Sequence, residues 1–269
     1  MSSSIARSYL FVPANRIDRV MKAHAAGAHA VIVDLEDAVP PDEKISGRNA
    51  VAAGLTGVAP VLVRVNGTDT EWFEEDLNLC ATENILGVVI PKAESADQLR
   101  YVAHKLRASA HIFPLIETAR GYSHLGALCS APKVRCLIFG TVDFQLDLGI
   151  SGDGEELLFF RSGLVLASRT ANIQPPVDGV ILAIDDVGSV RKDALRAKRL
   201  GFGGKLCIHP KQVTPVNECF RPSPDEIIWA RKIVEASVVA KRGAVAVDGK
   251  MVDRPVILKA EEILRGVEL

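Results

Sequence analysis

The chain has 269 residues, 48% of them hydrophobic and 24% charged, with 32 Lys and Arg against 33 Asp and Glu. The net charge of −1 excludes broad electrostatic capture of nucleic acid or of an anionic membrane surface. The composition also excludes collagen-like, disordered and coiled-coil classes, and the length allows one large domain or two ordinary ones.

Eight short, β-branched, nearly continuous apolar runs follow in chain order: Tyr9–Val12, Ala30–Val33, Val61–Val65, Gly87–Ile90, His111–Ile116, Cys136–Phe139, Gly179–Ile184 and Leu206–Ile208. Such runs suit parallel strands buried on both faces. Amphipathic stretches lie between and after them, at about 15–26, 42–54, 72–82, 95–107, 119–129, 154–171, 189–200 and 211–218. The alternation predicts an α/β chain closed into a (β/α)8 TIM barrel. An open doubly wound sheet is the alternative, but no Gly-x-Gly-x-x-Gly follows the first run and no Gly-x-x-x-x-Gly-Lys-Ser/Thr occurs. The barrel is expected over 1–218. A C-terminal helical extension is expected over 219–269, packing on the same barrel or on a neighbouring subunit. Ser223-Pro224-Asp225-Glu226 opens its first helix as a capping box, and a last helix begins near Pro255.

The N-terminal residues lack a basic segment followed by an apolar one, and no run of ~18 apolar residues occurs, so a cytoplasmic chain without a transmembrane helix is expected. Cys80, Cys129, Cys136, Cys207 and Cys219 form no Cys-x-x-Cys pair and read as small buried hydrophobes.

In a barrel of this kind the chemistry sits at the C-terminal ends of the strands. Those ends carry Asp34, Glu36 and Asp37; Arg64 and Asn66; Lys92; Glu117 and Thr118; Asp143; Asp185 and Asp186; and His209. Several carboxylates at one mouth cannot all stay ionised without a counter-charge, and a hard cation such as Mg2+ would supply one. Arg64 suits two-point contact with a substrate carboxylate. Each residue also has a bland reading. Asp37 and Asp186 fit helix caps, His209 a structural hydrogen-bonder, Lys92 a strand-end ion pair, and Asp34 a buried counter-ion of Arg64 or Lys92. Lys44 and Arg48 share one helix face, which is usually just solvated surface. Zinc motifs and a Gly-x-Ser-x-Gly elbow are absent, leaving acid–base and metal chemistry.

Six motifs then occur in order: Arg7-Ser-Tyr-Leu-Phe-Val-Pro13, Val33-Asp-Leu-Glu-Asp-Ala-Val39, Val63-Arg-Val-Asn66, Ile90-Pro-Lys-Ala-Glu-Ser95, Leu115-Ile-Glu-Thr-Ala-Arg-Gly121 and Cys207-Ile-His-Pro-Lys211. Through them the chain resembles the citrate lyase β-subunit (CitE-like) family within the HpcH/HpaI aldolase and malyl-CoA lyase group. The tail Asp248-Gly-Lys-Met-Val-Asp-Arg-Pro255 extends the likeness, which runs from about 7 to 265. The resemblance implies a homotrimeric Mg2+-dependent lyase. It would join or cleave a small keto acid (pyruvate, oxaloacetate or glyoxylate) and an acetyl thioester of CoA or acyl-carrier protein. It implies Glu117 and Asp143 as metal ligands, and Arg64, Asp37 and Asp253 as catalytic groups, with Asp253 lent by a neighbouring subunit. Arg64, Glu117, Glu36, Lys44 and Arg48 would bind substrate, the last two on the CoA side. Two positions depart from the family pattern. Val142 stands where many members have an acidic residue, and Ala14 where glycine is common. A CoA-independent pyruvate or oxaloacetate aldolase and a non-autonomous subunit of a lyase complex remain alternatives.

Overall fold

The computed structural model describes residues 5–55, 57, 59–239 and 245–267. Its contacts divide the chain into two compact units, Ile5–Asn217 and Glu218–Leu269.

In the first unit eight parallel strands close a barrel in sequence order. They are β1 (Ser8–Pro13), β2 (Ala30–Asp34), β3 (Val61–Arg64), β4 (Ile85–Ile90), β5 (His111–Ile116), β6 (Ile138–Phe139), β7 (Val177–Asp178) and β8 (Gly204–Cys207). Closure is made where Tyr9 pairs with Leu206 and Leu10 with Cys207. Tyr9, Ile32, Leu62, Leu115, Val177 and Leu206 belong to one buried cluster. Because strand side chains alternate with period two, the residues two places further on form the next inward layer. That layer reads Phe11, Asp34, Arg64, Glu117, Gly179 and Ile208, with Gly140 following the inward Ile138. An apolar lumen thus ends in a polar mouth.

The outer elements are α1 (Val20–Ala25), α2 (Lys44–Gly54), α3 (Phe73–Leu79), α4 (Ala96–Lys105), α5 (Ala119–Ser123), α6 (Leu125–Cys129), α7 (Thr141–Leu148), α8 (Leu158–Thr170), α9 (Val187–Leu200) and α10 (Val213–Phe220). Three differ from the sequence reading. The seventh strand is Val177–Asp178, not Gly179–Ile184. Of the apolar residues after it, Val180 faces the mouth and Leu182 is 68% exposed. The stretch 119–129 is two helices, broken at His124. Helix α7 starts directly after β6, where no helix was expected. The five cysteines are buried and free. Among the described residues no helix is long and apolar enough to cross a membrane.

Behind β7 and β8 lies a buried ion network. Val177 and Leu206 point inward, so Asp178 and Lys205 point out toward the helices. Asp178 accepts from Arg161 of α8 (2.9 Å) and lies 3.4 Å from the Lys205 ammonium. Lys205 and Arg196 both pair with Asp193 of α9, and Arg161 and Arg196 both grip Asp153. Burial opposes charge on Asp178, yet Lys205 and Arg161 outweigh it and hold its pKa below the ordinary carboxylate value.

The second unit holds α11 (Pro224–Val239), the antiparallel hairpin β9 (Val245–Val247) and β10 (Lys250–Val252), and α12 (Arg254–Arg265). Its core joins Ala230, Ile233, Val252 and Ala260. The capping box forms as expected: Glu226 N–H donates to Ser223 Oγ (3.1 Å) and Ser223 N–H to Glu226 Oε2 (2.8 Å). The hairpin was not expected. Asp248 and Gly249 both adopt positive φ, as a two-residue type I′ turn requires.

Candidate active site

The site begins at the registered pair Asp34 and Arg64, neighbours across β2 and β3. The guanidinium meets Asp34 through two parallel bonds, Nε to Oδ1 and Nη2 to Oδ2, both 2.7 Å. Its remaining nitrogen, Nη1, stands 3.0 Å from Glu36 Oε2 and 3.5 Å from Asp37 Oδ2. The Glu36 contact is an ion contact without hydrogen-bond geometry, since that buried oxygen has no hydrogen-bond partner. Phe11 covers the guanidinium, 4.9 Å from ring centre to carbon. Burial opposes charge on Arg64, but Asp34, Glu36 and Asp37 outweigh it and raise its pKa. The bland reading of Asp34 as the buried counter-ion of Arg64 is therefore correct, and Asp34 also accepts from the Glu36 and Ala38 N–H groups.

Glu117 follows β5 and is 3% exposed. Its Oε1 accepts the backbone N–H of Lys92 (2.7 Å). Lys92 adopts φ +44°, a left-handed conformation uncommon for a residue with a Cβ, and its own N–H makes this contact. On the opposite side sits Gly140. A Cβ there would lie 2.7 Å from Glu117 Cβ and 2.8 Å from Oε2. Asp143 lies in the first turn of α7, where the helix dipole also favours an acid. Burial, with Glu36 and Asp143 adding to it, pushes Glu117 up to about 8 against the pull of the Lys92 N–H and of Arg64. Burial likewise raises Glu36 to about 7, with Arg64 opposing and Asp37 and Asp34 adding.

Asp34, Asp37, Arg64, Glu117 and Asp143 all line one cavity of about 360 Å³. Its remaining wall is mostly apolar and includes Val142, Val180, Leu206 and Ile208. The lining includes neither Lys44 nor Arg48. Lys44 is buried, and its ammonium donates to the carbonyls of Leu35 (2.8 Å) and Glu36 (2.6 Å). Arg48 donates to Asp76 Oδ1 (2.7 Å) and the Trp72 carbonyl (3.2 Å), and Asp76 in turn holds Asn66, two residues beyond Arg64. Both cations therefore brace loops of the mouth. Asp253 belongs to the C-terminal unit, where it caps α12 by accepting from the Val256 N–H (3.4 Å). Asp186, Thr118 and His209 are also caps.

Residues 7–210 match the family described as HpcH/HpaI aldolase/citrate lyase. The chain belongs to that family. It is 36% identical over 277 residues to a citrate lyase subunit beta-like protein of Deinococcus radiodurans, covering 97% of each. It is 34% identical to a (3S)-malyl-CoA thioesterase of Cereibacter sphaeroides, covering 97% of this chain and 94% of that protein. A crystal structure of CitE from Mycobacterium tuberculosis in complex with magnesium, acetoacetate and coenzyme A superposes with a TM-score of 0.86 at 34% identity. The match covers 98% of this chain and 99% of that one. The fold and the family expected from the motifs are thus both found.

The donor set suits a hard cation. Asp143 adds to the rise of Glu117 in the same cavity, and Gly140 keeps space beside Glu117 Oε2 that a Cβ would fill. Among the described residues no three His, Cys, Asp or Glu side chains gather to hold a metal. Two protein oxygens with water or substrate filling the other positions is how Mg2+ is commonly held. The sequence reading missed three contributors: the Lys92 N–H, Gly140, and Phe11 over Arg64. Period two from the inward residues would have found Gly140 and Phe11. The Lys92 contact depends on a backbone angle that its residue type does not announce.

Proposed function

We propose that the chain is a Mg2+-dependent carbon–carbon lyase acting on a β-hydroxyacyl thioester. It cleaves or forms the bond between a keto acid and an acetyl thioester. The observation that carries this reading is the pairing of Glu117 and Asp143 in one cavity with Arg64. The magnesium, acetoacetate and coenzyme A held by the Mycobacterium tuberculosis structure support it.

Glu117 and Asp143 would hold the ion. When bound, Mg2+ would lower the pKa of the substrate hydroxyl. Asp253 of a partner subunit in a homotrimer, or Asp37 on the rim, takes the hydroxyl proton. The C–C electron pair passes to the thioester, whose enolate takes a proton at carbon to become the acetyl group. Arg64 and nearby backbone N–H groups stabilise the oxyanion. Glu36 contacts Arg64 and adds to the acids that hold it in place. For Lys44 and Arg48 to serve CoA, each would add the ligand to the internal partners it already holds.

The test is an acyl-CoA panel assayed with and without Mg2+. The expected products are keto acid and acetyl-CoA, only with the metal. The thioesterase relatives make hydrolysis the second reading. Release of free CoA with the hydroxy acid intact would select it and overturn cleavage. Mixing Arg64→Ala with Asp253→Ala subunits should restore some turnover if sites are shared between chains. No rescue contradicts the shared site.

A further inference from the structure

We infer that the cavity selects a thioester whose carbinol carbon carries a small alkyl group, such as methyl, and rejects one bearing a second carboxylate there, with Val142 as the selecting residue. The inference rests on the lyase reading and specifies its substrate.

It follows from how charge and apolar surface divide the cavity. Among the described lining residues, the four acids Asp34, Asp37, Glu117 and Asp143 stand against Arg64 as the one cation. Arg64 spends Nε and Nη2 on Asp34, which leaves only Nη1, beside Glu36 and Asp37, to face the thioester oxygen. The carboxylate common to all such substrates would have the metal ion as its partner. A further carboxylate would find no cation and would add repulsion to a wall that is already acidic.

The rest of the wall offers it nothing polar. Gly140 and Gly179 remove the side chains of β6 and β7 from the top layer. Val142, Val180 and Ile208 line the space beyond. A side chain at either glycine would press on its neighbours, since a Cβ at Gly179 would lie 2.3 Å from Thr141 Oγ1, and that at Gly140 would meet Glu117. Thr141 is buried, and its successor Val142 is 44% exposed. Val142 immediately precedes Asp143, so an alkyl group on the reacting carbon has an apolar neighbour close to the expected ion. Burying a charge unpaired against such a wall is far more costly than burying a methyl group.

The experiment compares three CoA thioesters that differ only at the carbinol carbon: hydrogen, methyl and carboxymethyl. Their kcat/KM values are measured with Mg2+. In parallel, calorimetry measures binding of glyoxylate, pyruvate and oxaloacetate to the Mg2+-loaded protein, a readout independent of turnover. The expected order is methyl first, hydrogen roughly tenfold behind, and carboxymethyl on the order of 100-fold behind. Val142→Lys should raise carboxymethyl turnover and oxaloacetate binding relative to methyl and pyruvate by about tenfold or more. Val142→Thr, equal in size, should lower the methyl preference without a cation. Carboxymethyl turnover equal to methyl in the unaltered protein, or an unchanged ratio in Val142→Lys, overturns the inference. Pyruvate bound ahead of oxaloacetate with none of the thioesters cleaved would sink the lyase reading and support the selectivity. Cleavage led by the carboxymethyl substrate would do the reverse.

Discussion

Behind β7 and β8, Arg161, Arg196 and Lys205 face Asp153, Asp178 and Asp193, three charges of each sign. At the mouth of the same barrel, Asp34, Asp37, Glu117 and Asp143 face Arg64. Both groups hold deeply buried carboxylates, yet their proton affinities move in opposite directions. Asp178 is lowered because its cations outweigh burial, whereas Glu117 rises to about 8 because burial and like charges outweigh Arg64. A balanced buried network serves the fold. An acidic excess held in a cavity is poised for a positive ligand.

The contrast breaks most sharply at Glu117 and Asp143. Glu117→Gln and Asp143→Asn should each lower Mg2+-dependent turnover by roughly a thousandfold or more while urea unfolding stays near that of the unaltered chain. Retained turnover would remove either residue from the metal. Asp178→Ala should do the opposite. It strands Arg161 and Lys205 in the interior and should cost about 3–5 kcal/mol in urea unfolding. A loss below about 1 kcal/mol would mean the network is not what holds β7 and β8. Gly140→Ala is a finer probe. Its methyl group presses on Glu117, so Mg2+ affinity by calorimetry should fall about 10–100-fold, the range for groups that orient a ligand.

The smallest effect is a pH slope. In the metal-free folded chain burial and acidic neighbours push Glu117 up to about 8 from an ordinary value of 4.5. The native state therefore holds a proton that the unfolded chain has released, and this group's contribution to stability falls as pH rises between those values. Asp178 behaves inversely. Its contribution is present above the ordinary carboxylate value of 3.8 and is lost as pH falls through the lowered one. Unfolding of Glu117→Gln against the unaltered chain, in chelator, should show a shallower decline from pH 5 to 8. Parallel curves would contradict the Glu117 shift.

Much of this barrel is legible in the sequence because strands buried on both faces must be apolar throughout. Ala30–Val33 and His111–Ile116 stand out for that reason. The same logic misplaced β7. Val180, Leu182 and Ile184 look like a strand, but Val180 lines the cavity, Leu182 and Ile184 are exposed, and the true strand ends in Asp178, whose charge is hidden by distant partners. Glu117 was legible from its place just past an apolar run. Asp143 was legible from its motif, but not the helix that presents it. Lys44 reads as surface, yet its ammonium is buried on two carbonyls that lie eight and nine residues away. The turn at Asp248-Gly249 carried a readable hairpin signal that the short flanking strands obscured.

The central claim is that Glu117 and Asp143 share one hard cation at the barrel mouth. The most direct measurement is a crystal structure of the chain grown with Mn2+, read by anomalous scattering. The account predicts one peak within about 2.0–2.3 Å of an oxygen from each carboxylate. A peak that touches only one of them, or lies outside the cavity, would contradict it.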